Sequence, residues 1–243
     1  MKKKLWIASL FSLCLFVACG GDDNKIPTGT GGGEEDGGGT DKPAAVEKPR
    51  YVWIDAAGNF ERYANSIDNI KEDLKRVKET GFTDIVVDVR PTTGDVLFKS
   101  SVGEPLKRID IWSNEGYKWM ERTATWDYLQ TFLNEGRKLG LKVNASINTF
   151  VGGYLCPYGL GYEGMLYRDA SKKKWATVIN ATGGQVNTMD LQNCEADWGV
   201  KFLNPANNEV QEYLLSLLSD LAKYKPDGII LDRCRYDAYF KIG

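Results

Sequence analysis

Chemistry in this 243-residue chain has to come from carboxylates, amides, arginines and tyrosines, because the sequence holds no histidine. Ser-His-Asp catalysis, Cys-His catalysis and any His-ligated metal are excluded within it. The reactive residues cluster at the ends of short apolar runs. Asp55 ends the first, Asp88 and Arg90 the second, Asn148 the third, and Asp232, followed by Arg233 and Arg235, the fourth. Paired carboxyl groups can serve hydrolysis, one as acid and the other as nucleophile or base. Asp232 is the candidate catalytic carboxylate, its charge favoured by the neighbouring arginines. A structural ion pair with Arg90 or Arg235 is the competing role. Asp88 and Arg90 alternate onto one strand face, where they would orient Asp232 or bind substrate hydroxyls. Asp55, Asn148 and Arg235 are further substrate-binding candidates. Aromatic faces stack on sugar rings, and Trp53, Tyr154, Tyr158, Tyr162, Tyr167, Trp175 and Trp198 supply them, with Trp53, Tyr154 and Trp175 the binding candidates.

The elements that must position these groups alternate. Tyr51–Ala57 reads as a first strand. Ile67, Ile70, Leu74 and Val77 recur at helical spacing, with Ser66 as N-cap and Gly81 as the stop. Phe82–Arg90 is β-branched and ends at Pro91, which marks a second strand. Thr125 is expected to cap a helix through Trp126, Leu129, Leu133 and Arg137, before a third strand over Leu141–Asn148. An irregular stretch runs from Thr149 to Phe202. Asn204-Pro205 then announces a helix carrying Val210, Leu214, Leu217, Leu218 and Leu221, and Asp227–Asp232 is the fourth, buried strand.

Strands alternating with amphipathic helices predict a parallel sheet covered by helices. Polar residues at every strand end predict a (β/α)8 TIM-barrel type, with the site at the C-terminal mouth. A doubly wound sheet would usually show a Gly-rich phosphate loop after its first strand, and Ala56-Ala57-Gly58-Asn59-Phe60 is not one. Four strands in residues 50–243 fall short of the eight strands and ~250 residues of a closed barrel, so the expectation is the first four βα units, a truncated N-terminal half that alone would be inactive.

The beginning of the chain has its own pattern. Met1–Lys4 is basic, Leu5–Ala18 is apolar, and Cys19 follows, which predicts a signal peptide over 1–18. Leu15-Phe16-Val17-Ala18-Cys19-Gly20 resembles a bacterial lipobox and implies lipidation of Cys19, with membrane tethering in a Gram-negative envelope, outer-membrane anchored and open to surface exposure. A secreted protein with an incidental cysteine is the alternative. Residues 19–49 are Gly, Asp, Glu, Thr and Pro with almost no apolar side chain, the composition of a flexible linker. Lys and Arg total 31 against 33 Asp and Glu, so no basic excess points to nucleic acid. Cys156 and Cys194 both lie in the irregular stretch, where a disulfide could form in an oxidising compartment; Cys234 is expected to be buried and inert.

Val89–Ser100, with Arg90-Pro91-Thr92-Thr93-Gly94-Asp95, is similar to the strand-two signature of the glycosyl-hydrolase-like family 10 proteins. Trp126-Asp127, Gly140–Asn148, Phe202-Leu203-Asn204-Pro205 and Asp227–Asp232 resemble the blocks that follow it. Asn144 stands where the family commonly has His, and Arg233 where a second acid is frequent. The resemblance implies a TIM-barrel glycoside hydrolase of envelope lipoproteins acting on an oligosaccharide, polysaccharide or cell-wall glycan, with no cofactor. A non-catalytic glycan-binding lipoprotein is the alternative, and a structural surface lipoprotein a third.

Overall fold

The computed structural model describes residues 48–156, 160–191 and 200–235. The expected signal peptide, Cys19 and nearly all of the linker lie outside the described residues, as do Tyr158, Cys194 and Trp198. No helix among the described residues is long and apolar enough to cross a membrane.

The first unit is β1 (Tyr51–Ile54), α1 (Phe60–Tyr63), α2 (Ile67–Glu79) and β2 (Asp84–Arg90). The Ser66 side chain accepts from the Asn69 N–H, closing the N-terminus of α2. At the other end Gly81 turns the chain with φ of 91°, a conformation that a side chain would resist. An antiparallel hairpin follows, β3 (Arg108–Ser113) and β4 (Gly116–Glu121), which the sequence pattern did not announce. Helix α3 (Tyr128–Lys138) begins later than expected. Its cap is Asp127 and not Thr125, because the Asp127 carboxylate accepts both from the Gln130 N–H and from the Tyr224 hydroxyl. Trp126 is thereby left outside the helix, with the Arg122 guanidinium over its ring.

β5 (Lys142–Asn148) is the third parallel strand. The stretch expected to be irregular is instead structured: β6 (Val151–Cys156), β7 (Gly161–Glu163), α4 (Met165–Arg168), the hairpin β8 (Val178–Ala181) and β9 (Gly184–Asn187), and β10 (Lys201–Phe202), which returns to pair with β6. Glycine makes this possible. A Cβ on Gly164, whose φ is 122°, would lie 2.3 Å from the Gly153 Cα, so two backbones cross where no side chain fits. Val151, Tyr154, Cys156, Val200 and Phe202 form a small core of their own. Cys156 is buried there and its thiol is pushed up to about 12 by burial, whereas Cys234 is exposed, contrary to expectation.

Helix α5 (Asn208–Ala222) is capped by Asn207, whose side chain accepts from the Glu209 and Val210 N–H groups, and β11 (Gly228–Asp232) follows it. The main sheet has the order β1-β2-β5-β11, all parallel. Sequence neighbours are therefore spatial neighbours, as in consecutive βα units. Among the described residues the sheet is open, and the remaining strands form separate antiparallel sheets. The helix-covered face holds Ile54, Ile85, Val87, Val143, Ala145 and Ile147. α3 reaches it closely through Gly136, where a Cβ would come 2.6 Å from Val143 Cγ2. β11 is more open than expected, with Leu231 46% exposed, because it is an edge paired only with β5.

Gly164→Ala is expected to cost about 2–4 kcal/mol, combining backbone strain with a clash that the crossing cannot relieve. Urea unfolding should show the loss, and amide exchange should quicken first in β6 and β7.

Candidate functional site

Parallel pairing aligns side chains in rows on the face opposite the core. Trp53, Val86, Asn144 and Gly228 form one row, by register. Gly228 leaves room for the Asn144 amide, since a Cβ there would sit 2.5 Å from Asn144 Oδ1. Nearer the C-terminal ends lie Asp88, Ser146 and Ile230, with Asp55 just past the end of β1, and then Asn148 and Asp232. Five predicted residues, Asp55, Asp88, Arg90, Asn148 and Asp232, are therefore brought to one end of one sheet.

Arg90 is fully buried, and a bulge between Asp88 and Arg90 re-aims it. Its Nη1 donates to the Asn148 carbonyl and, at 3.4 Å, to that of Thr149, while Nη2 lies 3.6 Å from Met165 Sδ. Among the described residues its Nε has no hydrogen-bond partner. The Asn148 amide donates to the Arg90 carbonyl at 3.0 Å and to Asp88 Oδ2 at 3.3 Å, and the Thr149 N–H donates to the Asp232 carbonyl at 2.7 Å. Three strand ends are thus laced together. Asp232 itself is exposed, and its Oδ1 accepts from the Arg233 N–H at 2.7 Å. Among the described residues it forms no ion pair with Arg90 or Arg235, so the competing structural pairing is absent there. Arg233 has φ of 44°, a left-handed backbone at a non-glycine residue beside the carboxylate.

Asp88 is 3% exposed and its carboxyl is pushed up to about 7. Burial is the main cause, and the charges of Asp55 and Asp232 add to it, outweighing the N–H groups of Arg90 and Ala56 that favour the anion. A carboxyl group that keeps its proton near neutral pH, set beside exposed carboxylates, is what separates an acid from a base in one site. Ser146 Oγ, buried and unpartnered, shares the Asp88 row.

The remaining candidates lie apart. Trp53 is 47% exposed on the same sheet face. Tyr154 is buried in the small core with its hydroxyl donating to Asp110. Trp175 is half-buried against Tyr213, and its Nε1 donates to Glu209 at 2.8 Å. Arg235 is exposed beyond β11. Tyr162, exposed, stacks on Tyr167 with ring centres 4.6 Å apart.

The sequence reading missed a second group of charges. Arg108 donates from Nε (3.0 Å) and Nη2 (2.9 Å) to Glu163, Arg168 bridges Glu163 and Asp95, and the two acids are buried. Burial alone would raise Glu163, but hydrogen bonds from Arg108, the Gly164 N–H and Arg168 together hold its carboxyl below the usual range. In Asp95 burial prevails over Arg168, and its carboxyl is raised. The signal for this group was Asp95 within the Arg90-Pro91-Thr92-Thr93-Gly94-Asp95 run; Glu163 had none.

No family model matches the chain. It is 31% identical over 197 residues to an S-layer-related protein of Niallia circulans, a match that takes in 78% of this chain and spans 11% of that relative's length. Among solved structures it is similar to a hypothetical protein from Ruminiclostridium thermocellum (15% identity, 77% of each chain, TM-score 0.46). It is also similar to a maltogenic alpha-amylase from Thermotoga neapolitana (15%, 74% of this chain and 38% of that one, 0.45) and to an alpha-L-fucosidase from Paenibacillus thiaminolyticus (16%, 76% and 23%, 0.47).

Because Asp88 holds its proton more tightly in the folded state than in the unfolded one, its contribution to stability is full below the unfolded value near 4. It is lost as pH rises through about 7. Asp88→Asn should remove that slope, leaving the variant relatively more stable above pH 7 by on the order of a few kcal/mol. Parallel urea titrations from pH 4 to 8 test this.

Proposed function

We propose that the chain forms the first four βα units of a (β/α)-barrel glycoside hydrolase of the glycosyl-hydrolase-like family 10 type, tethered in the cell envelope through Cys19. The observation that carries the glycosidase reading is Asp88, a buried carboxyl raised to about 7 near the exposed carboxylates Asp55 and Asp232, the three at the C-terminal ends of β2, β1 and β11 of one parallel sheet. Asp88 gives its proton to the departing glycosidic oxygen, and the exposed Asp232 is the partner that acts as nucleophile or as base toward water. Asn148 holds Asp88 in place through its amide, and Trp53 offers a ring for an apolar sugar face on the same side of the sheet. The likeness to an S-layer-related protein supports an envelope location.

The second reading is glycan binding without cleavage. It is favoured by the Asp88 oxygens, each of which already accepts a hydrogen bond, one from the Arg90 N–H and the other from the Asn148 amide.

Both are tested on protein expressed, without residues 1–18, from the longest open reading frame that contains this sequence. Release of reducing ends from plant, yeast and bacterial wall glycans measures turnover. Asp232→Asn and Asp88→Asn should each lower kcat by about 10²–10⁴-fold, Asp232→Asn with little change in melting temperature, and Asp88→Asn should erase the loss of activity above pH 7. Near-normal turnover in a folded Asp232→Asn protein removes that residue from the mechanism. Glycan bound by the unaltered protein without any cleavage leaves only the binding reading.

Tethering is checked separately. Cys19→Ser should abolish incorporation of labelled fatty acid and release the protein from the membrane fraction, and persistent labelling would sink the assignment.

A further inference from the structure

The arginine–acid group missed in the sequence lines a cavity of about 520 Å3, large enough for one or two sugar units. Asp95, Glu163, Arg168, Arg108, Glu121 and Met165 are among the residues that line it, and Met165 Sδ lies 3.6 Å from Arg90 Nη2. The cavity and the strand-end site are therefore neighbours, separated by one thioether side chain.

The polar groups alternate. Asp95, Arg168, Glu163 and Arg108 run acid, base, acid, base, joined by hydrogen bonds. The two acid side chains are 4% and 3% exposed, while the two arginines remain 43% and 42% exposed. Arg108 is held in position from behind, its guanidinium 4.1 Å from the centre of the Trp119 ring. Its Nη1 has no acceptor among the described residues. Donors and acceptors are thus fixed in advance, which lowers the ordering cost of binding.

The chemistry of the lining selects among ligands. Among the described residues no group of three or more His, Cys, Asp or Glu is arranged to hold a metal ion. Five acids and four bases surround the space, so an anion entering it meets buried carboxylates that repel it. A neutral polyol meets no such penalty, since each hydroxyl both donates and accepts, and vicinal hydroxyls match an arginine beside a carboxylate.

We infer that this cavity is a subsite for a neutral sugar residue, bound through its hydroxyls to Arg108 and Arg168, next to the strand-end carboxylates. The inference deepens the proposed function by naming the class of sugar. It is read by binding and not by turnover, so the two stand or fall separately.

The same full-length protein is titrated calorimetrically with cellotetraose, mannotetraose, chitotetraose and tetragalacturonate. At least one neutral tetrasaccharide should bind, and more tightly than tetragalacturonate. Arg108→Gln should weaken that binding by about tenfold or more, as expected for losing hydrogen bonds to a charged group, with a melting temperature within a few degrees. Should that variant fail to fold, amide exchange of the unaltered protein answers the question. The bound sugar should slow exchange in Arg108–Ser113 and Gly161–Arg168 and leave Gly184–Asn187 unchanged. Failure of every neutral probe to bind, tighter binding of tetragalacturonate, unchanged affinity in folded Arg108→Gln, or no protection of those two segments overturns the subsite. Intact turnover beside unchanged affinity would sink the subsite alone, whereas weakened binding without any turnover would sink the catalytic reading alone.

Discussion

The buried guanidinium of Arg90 is the constraint on which the strand-end site depends. Removing a cation from water is costly, and here the compensation comes from carbonyl oxygens of Asn148 and Thr149 in place of a carboxylate. Those carbonyls belong to the end of β5, so satisfying Arg90 fixes β2 against β5. The bulge at Asp88 and Arg90 permits the approach, and the Asn148 amide returns to the Arg90 carbonyl. Thr149, held from one side by Arg90, in turn holds Asp232 by its backbone. One buried charge thereby sets the spacing of residues from three strands.

The same chemistry explains why similar acids behave differently within one protein. Asp88 is buried with only N–H donors around it and two carboxylates near it, so burial dominates and it retains its proton. Glu163 is also buried, yet two arginines and a backbone N–H reverse the balance. Asp95 has a hydrogen bond from only one arginine, Arg168, and burial wins. The number of cationic donors, set against desolvation, decides the direction in each case.

Much of the scaffold was legible in the chain itself. The spacing of Ile70 and Leu74, the Ser66 cap and Gly81 located α2, and β-branched runs located β2 and β5, because these signals are local and the period of burial repeats along the element. The Thr125 cap misled because Asp127 gains a second partner, Tyr224, 97 residues away. The Thr149–Phe202 stretch hid its strands for a related reason. Its strands are two to six residues long and rich in glycine, and their pairing depends on the crossing of Gly153 and Gly164 and on the return of β10 to β6.

By itself the sequence determined the alternation of strands and helices, the parallel order that follows from it, and the placing of Asp55, Asp88, Arg90, Asn148 and Asp232 at strand ends. Each rests on periodicity and on polarity at the boundary of an apolar run, which a single segment contains. Only the tertiary structure decided that Asp88 is the buried carboxyl whose pKa is raised and Asp232 the open one, that Tyr154 is committed to Asp110, and that Glu163 and Asp95 share Arg168. Those outcomes depend on desolvation and on charges contributed by segments far apart in the chain, and burial of that kind has no local signature.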